Sequence, residues 1–278
     1  MKIVLSRKGF DAGSGGGPSP ILPGGRLLPL PIPDPASPVR FGDLACAGEP
    51  LGPLVASLTR GRVGPRARAH LDPDLEARSK PRSTGFRAAL GQCGAAARHL
   101  EREGVGPGDL FLFFGWFREA EPARGRWVYR RGARDLHVIF GWLQVSRVIP
   151  ATDARAGNLA EHPHRFGERQ EPNRLYLAAR SLDALGGALR KRGAGLFRTA
   201  TAARVLTAPN ATRSEWQLPA WFCPRGARVP LSYHRDLGRY RSDGEGVRLR
   251  SVARGQEFVL DTAHYPEAIA WARSLCNG

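Results

Sequence analysis

Cysteine is scarce and scattered: the 278-residue chain has four, at positions 46, 93, 223 and 276, with no Cys-x-x-Cys pair. That spacing excludes the common zinc-ribbon arrangements and gives no disulfide framework, so reduced, buried thiols are expected. Long apolar runs are missing too, and none reaches the roughly 18 residues that a membrane-spanning helix needs. The stretch Met-Lys-Ile-Val-Leu-Ser-Arg-Lys-Gly returns to charge too soon for a secretory leader and reads as a strand. A cytoplasmic protein with no membrane partner is expected. No internal repeat is visible and no boundary is clean enough to cut the chain, which therefore reads as one domain over 1–278. Lysine is nearly absent, with four (2, 8, 80, 191) against 38 arginines. GC-rich coding exchanges Lys for Arg but leaves charge unchanged, so the net +17 needs its own reason. Arginine grips phosphate oxygens in a two-pronged geometry, and a pI near 11.0 suits a polyanionic partner. Nucleic acid or a nucleotide is the expected partner; a cationic surface that aids solubility is the plainer alternative.

What is present centres on residues 108–149. Two short runs, Leu110-Phe111-Leu112-Phe113-Phe114-Gly115-Trp116-Phe117 and Leu136-His137-Val138-Ile139-Phe140-Gly141-Trp142-Leu143, are apolar, aromatic and interrupted by a Gly-Trp pair. They read as buried strands joined by a polar, Arg-rich connection over 118–134. Each glycine allows a bulge or a close backbone approach. Trp116 and Trp142 then either share a pocket or fill the core. Leu175–Ala178 reads as a third core strand, and Arg204–Thr207 as another. Val247 and Leu249 alternate with Arg248 and Arg250, as in a strand with one wet face. Helices are expected over Gly85–Glu103, where Leu90, Ala96, Ala97 and Leu100 set the spacing, and over Leu182–Lys191 and Pro266–Leu275. The six prolines between 23 and 38 suggest extended chain laid over the core. Strands outnumber helices, so the fold class is α+β.

Candidate chemistry is dispersed. After the first strand, Lys8-Gly9-Phe10-Asp11 opens a glycine-rich loop that can present N–H groups to phosphate. It is no Walker motif, since no Gly-Lys-Ser/Thr follows and Pro18 and Pro20 bar a helix. His70-x-Asp72-x-Asp74 places ligand types at alternate positions, as a cation site would, although an Asp-Pro turn uses the same residues. An iron site of His70 and Asp72 completed by His234 is a remoter variant. His162-Pro163-His164 also alternates, but proline separates the rings and a surface loop is expected. No metal is assigned.

These motifs resemble a bacterial family. The segments SRKGFD with its following glycines, HLDPDL, GVGPGDLFLFFGWFRE, DLHVIFGWLQV, LSYH and SVARGQEFVLD look, in this order, like the nucleotide modification associated domain 3 family. The Arg-rich stretches at 60–69 and 119–134 depart from its pattern. The resemblance implies a place among proteins of DNA base-modification systems, with other such proteins as partners. The centre is also similar to PUA-like and EVE-type domains. That implies a mostly antiparallel, barrel-like sheet centred on 108–180, with few flanking helices and long loops, holding a nucleobase between aromatic walls. Trp116, Trp142 and Gln144 would then stack on and read the base, with Arg7, Lys8, Gly9, Phe10 and Asp11 as further ligand contacts. The leading expectation is a binder of a modified base or nucleotide. The alternative is an enzyme, transferase- or hydrolase-like, with Asp11, Asp72, Asp74 and Glu257 as catalytic candidates and no cofactor specified. Convergence of Arg7, Asp11, Asp72 and Glu257 on one cleft would favour the enzyme.

Overall fold

The two central runs pair with each other in the middle of a large sheet. The computed structural model describes residues 1–82, 85–153, 159–186, 190–244, 246–253 and 255–277. In chain order come β1 (Lys2–Arg7), β2 (Ser19–Leu22), β3 (Arg26–Leu27), β4 (Ile32–Pro33), β5 (Ala45–Cys46), β6 (Glu49–Pro50) and α1 (Leu51–Leu58). Next are β7 (Ala69–His70), β8 (Ala89–Cys93), α2 (Gly94–Arg102), β9 (Leu110–Ala123), β10 (Arg126–Tyr129), β11 (Leu136–Pro150) and β12 (Asn173–Ala178). The chain closes with β13 (Ala194–Leu196), β14 (Glu215–Leu218), β15 (Tyr240–Ser242), β16 (Val247–Arg250), β17 (Glu257–Asp261) and α3 (Glu267–Asn277).

Ten strands make one sheet whose spine runs β17-β1-β9-β11-β12-β8, and β14, β16 and β15 make a smaller one. Along the spine only β1 and β9 are parallel; the other neighbours are antiparallel. Leu110, Leu112 and Phe114 of β9 pack on one face with Trp216, Leu249 and Leu275. Phe111, Phe113 and Phe117 pack on the other with Leu100 and Tyr176. A strand covered on both faces has no wet side to signal, which is why it reads as an unbroken apolar run. The proline-divided segment supplies a third cluster, in which Leu28, Leu30 and Phe41 meet Leu54 and Val55 of α1.

The α+β class is found, with three helices among the described residues and none long and apolar enough to cross a membrane. No closed barrel is found there: the spine has two ends, β17 and β8. Those ends nevertheless approach each other, because Gln92 of β8 donates a side-chain hydrogen bond to Glu257 of β17. The sheet curls without zipping shut, and its unpaired seam becomes important below.

Several local expectations are corrected. The connection over 118–134 is mostly strand, since β9 runs on to Ala123 and β10 returns after Arg124-Gly125, both with positive φ (50° and 74°), as a tight hairpin turn needs. The helix expected from Gly85 is strand β8 until Cys93; only at Gly94 (φ +57°) does the backbone turn into α2. Pairing with β12 outweighs the weak helical preference of that alanine-rich stretch. Arg204–Thr207 forms a 3-10 turn and isolated bridges rather than a strand. The helix expected over Leu182–Lys191 falls partly on 187–189, outside the described residues, while Ser181 and Leu182 pair back to Arg192 and Lys191. The cysteines are free, but Cys223 is exposed and only Cys46 and Cys276 are buried. The last helix and the strand Val247–Arg250, with Arg250 outward, match the reading.

Candidate functional site

Lys8 is the first residue past β1, and a central glycine places it. Its N–H donates to Phe114 O at 2.8 Å. Its carbonyl oxygen lies 2.6 Å from where a Cβ on Gly115 would stand, so any larger residue at 115 would expel this backbone. From there the ammonium reaches 3.7 Å from Asp72 Oδ2 and 3.6 Å from Glu257 Oε1. Both carboxylates are buried, Glu257 to 1% exposure. A cation between two enclosed carboxylates is costly unless each compensates the other.

Glu257 opens β17 opposite Ser6 of β1. Its Oε1 accepts from Ser6 Oγ at 3.0 Å and from Gln92 Nε2, whereas Oε2 has no hydrogen-bond partner among the described residues. Burial raises its pKa, with Lys8 and Ser6 pulling only partly back. Asp72 goes the other way. Burial alone would push its carboxyl up, but Lys8, His162 and His164 together hold it below the ordinary carboxylate range.

Three histidines surround Asp72. His70 ends β7, and its Nδ1 lies 2.7 Å from Asp34 Oδ2, which Arg169 also holds at 2.5 Å. That carboxylate is kept well below its usual range, by His70 foremost, so it only accepts and His70 Nδ1 carries the proton. His164 Nδ1 lies 2.8 Å from Asn173 Oδ1. Asn173 Nδ2 donates to His164 O, which fixes the amide orientation and makes Oδ1 the acceptor. Burial pushes the His164 imidazole down to about 4. Each Nε2 is thereby turned inward, 3.9 Å (His70) and 3.8 Å (His164) from Asp72 Oδ2. His162 plays another part. Its Nδ1 accepts the His164 N–H at 3.3 Å, and its Nε2 lies 3.4 Å from Asp72 Oδ1 without meeting hydrogen-bond geometry. Gly91 N–H donates to that same Oδ1 at 2.6 Å. His70, Asp72 and His164 each offer one ligand atom within 4.8 Å of the other two, the donor set of a metal ligand group.

All this opens into a cleft of about 680 Å³, lined by Arg7, Lys8, Gly9, Asp11, Asp72 and Glu257 together with His70, Gln92, His164 and Arg169. Its volume is that of a small-molecule site. The four residues named as a test of convergence, Arg7, Asp11, Asp72 and Glu257, all line it. Arg7 spends its guanidinium on Val252 O and Ala253 O, and Asp11 Oδ1 accepts Ser14 N–H within the glycine-rich loop. The other candidates lie elsewhere. Phe10 is buried against Phe41. Asp74 makes a two-pronged pair with Arg82. Gln144 Oε1 accepts from Asp183 N and Ala184 N. Trp116 donates to Asp135 beneath the Arg213 guanidinium. Trp142 donates to Arg192 O and lines a separate groove of about 950 Å³. The Gly-Trp glycines do permit close approach, Gly115 to Lys8 and Gly141 to Gly195 O, which would stand 2.9 Å from a Cβ at 141.

Two corrections concern histidine. His162 and His164 are not on a surface loop but are 3% and 6% exposed. His234 does not complete His70 and Asp72: it is buried against Phe258 and Trp216, with Ser232 O and Val252 N–H on its ring nitrogens. Gln92, Asp34 and Asn173 carry no signal in the sequence, because each matters only through a neighbour distant in the chain.

The family model for nucleotide modification associated domain 3 matches residues 2–261. The chain belongs to that family. The match spans every cleft residue named above, from Lys8 to Glu257. No curated protein and no solved structure matches the chain. In this family member, then, a role associated with nucleotide modification meets a cleft with buried charges at the seam of the sheet.

Proposed function

We propose that this family member is an enzyme acting on a nucleotide or nucleic-acid base bound in the seam cleft. The observation that carries the reading is the convergence of Lys8, Asp72 and Glu257 from three segments far apart in the chain. Two carboxylates pushed apart in pKa by their surroundings are an arrangement suited to acid–base work. Glu257 Oε2, buried and without a hydrogen-bond partner among the described residues, is the proton donor or acceptor. Lys8 stands ready to steady negative charge that develops beside it. Asp72, held ionised, keeps Lys8 and the histidines in place.

The polyanionic partner fits the other opening. Arg78, Arg87, Arg180, Lys191 and Arg192 line the 950 Å³ groove, and Trp142 forms part of its wall with Lys191 Nζ 5.5 Å from the ring. The segment from His70 to Glu76 reaches from the cleft to this groove. A second reading, a base-binding module without chemistry, draws on the same Trp142.

The test is a mass survey. DNA, RNA and the nucleotide pool, incubated with the protein in clarified lysate as a source of co-substrates, are analysed for altered nucleosides. The expected result is a new mass with the natural chain and a loss of at least about a hundredfold with Glu257→Gln, as for removal of a general acid–base group. Tight nucleic-acid binding with no altered mass would leave the binding module. In that assay Lys191→Ala should lower the salt dependence of DNA binding by about one unit of slope. Trp142→Ala should weaken binding about tenfold, the scale of one stacked base.

A further inference from the structure

We propose that His70 Nε2, Asp72 Oδ2 and His164 Nε2 bind one divalent transition-metal ion whose remaining positions open into the cleft. The inference goes beyond the reading above, since it concerns what the protein holds before any substrate arrives.

The argument is one of geometry. The outward nitrogens of His70 and His164 are held by Asp34 and Asn173, which turns both inward nitrogens toward Asp72. They face its Oδ2 at 3.9 and 3.8 Å, beyond hydrogen-bond distance. Two imidazole nitrogens and a carboxylate oxygen gathered this closely are the donor set of a cation, which all three would ligate. The other carboxylate oxygen is already committed to Gly91 N–H and lies 3.4 Å from His162 Nε2, which leaves Oδ2, beside the Lys8 ammonium at 3.7 Å, as the oxygen turned toward both histidines. Histidine ligands whose outer N–H groups are fixed by a carboxylate and an amide oxygen are characteristic of built metal sites. Space has been made for the arrangement as well: a Cβ on Gly91 would stand 2.2 Å from the His164 ring. Metal–ligand bonds of about 2.1 Å require the three atoms to draw in by a few tenths of an ångström. Two imidazoles and one carboxylate suit Fe(II), Mn(II), Co(II) or Zn(II) far better than the all-oxygen preference of Mg(II) or Ca(II). Lys8 and Glu257 stand beside the ion's open side, where a water or a substrate oxygen would sit.

Co(II) added to chelator-treated protein, without nucleotide, is the probe. One equivalent should bind, with a visible d–d spectrum and a rise in melting temperature. His164→Ala and His70→Ala should each weaken binding by at least about a hundredfold, and Asn173→Ala by roughly tenfold to a hundredfold as an outer contact. Gly91→Ala should weaken it by crowding His164. His264→Ala, at an exposed histidine outside the cleft, should change nothing. The melting curve of each metal-free variant shows whether it is folded. Should a ligand variant fail to fold, Asn173→Ala and Gly91→Ala decide in its place. Absence of stoichiometric Co(II) binding by the natural chain would overturn the proposal, as would retention of binding in folded His70→Ala and His164→Ala. Because nucleotide is absent, metal can fail here while altered nucleosides still appear in the mass survey, and the reverse.

Discussion

Two groups of histidines in this protein differ in what their ring nitrogens face. His137 and His234 lie in the core. Trp216 Nε1 donates to His137 Nδ1 at 3.0 Å, and Val252 N–H donates to His234 Nε2 at 3.3 Å. Burial pushes these imidazoles down to about 3 and about 4. In the cleft, His70 and His164 are bonded through Nδ1 to Asp34 and Asn173, and their Nε2 atoms face Asp72 Oδ2 beyond hydrogen-bond distance. Burial does not separate the groups, since His164 is enclosed like the core pair whereas His70 is half-buried. A core histidine closes a ring nitrogen on a donor from the protein itself; a site histidine turns its Nε2 toward another ligand-type atom.

The largest effect expected from disturbing this contrast is at Lys8. Lys8→Met strands two buried carboxylates and should cost about 3–5 kcal/mol in urea unfolding. Adding Asp72→Asn should recover part of that loss. A cost below about 1 kcal/mol would mean that the cleft charges do not depend on one another. In the core, His137→Phe leaves the Trp216 N–H without an acceptor and should cost about 1–3 kcal/mol near neutral pH. The variant also changes the response to acid. The folded imidazole, held near 3, takes up its proton far below the unfolded value of 6.5. Its contribution to stability is therefore complete above about pH 6.5 and is lost as pH falls toward 3. Melting temperatures at pH 7.5 and 4.5 should show the natural chain losing more than the variant. Parallel losses would remove His137 as the cause. The smallest effect is expected at Asp135, which pairs with Arg118 while both are about a third exposed. Asp135→Asn should cost about 0.2–1 kcal/mol in the same unfolding experiment, less in high salt, because solvent already screens that pair.

The sequence by itself determined the α+β class, the central strands, the last helix and the large positive charge, because those follow from local composition and periodicity. The resemblance legible in its motifs reached the family. Lys8, Asp72 and Glu257 were legible as chemistry-bearing residues, though not as neighbours. Only the tertiary structure decided that they meet, since Lys8 depends on Gly115 in another strand and Glu257 on a sheet whose two ends approach without pairing. Burial was decided there too. His-Pro-His has the composition of a loop, and its rings are enclosed only because β8 and β12 run beneath them. Trp116 and Trp142 look equivalent in sequence, yet the bulge between Ile139 and Gly141 breaks the register between them, and one meets Asp135 while the other walls a groove. The physical reason is the same throughout. Composition states what a residue can do, but the direction of a ring is set by partners outside its own segment, such as Asp34 for His70 and Trp216 for His137.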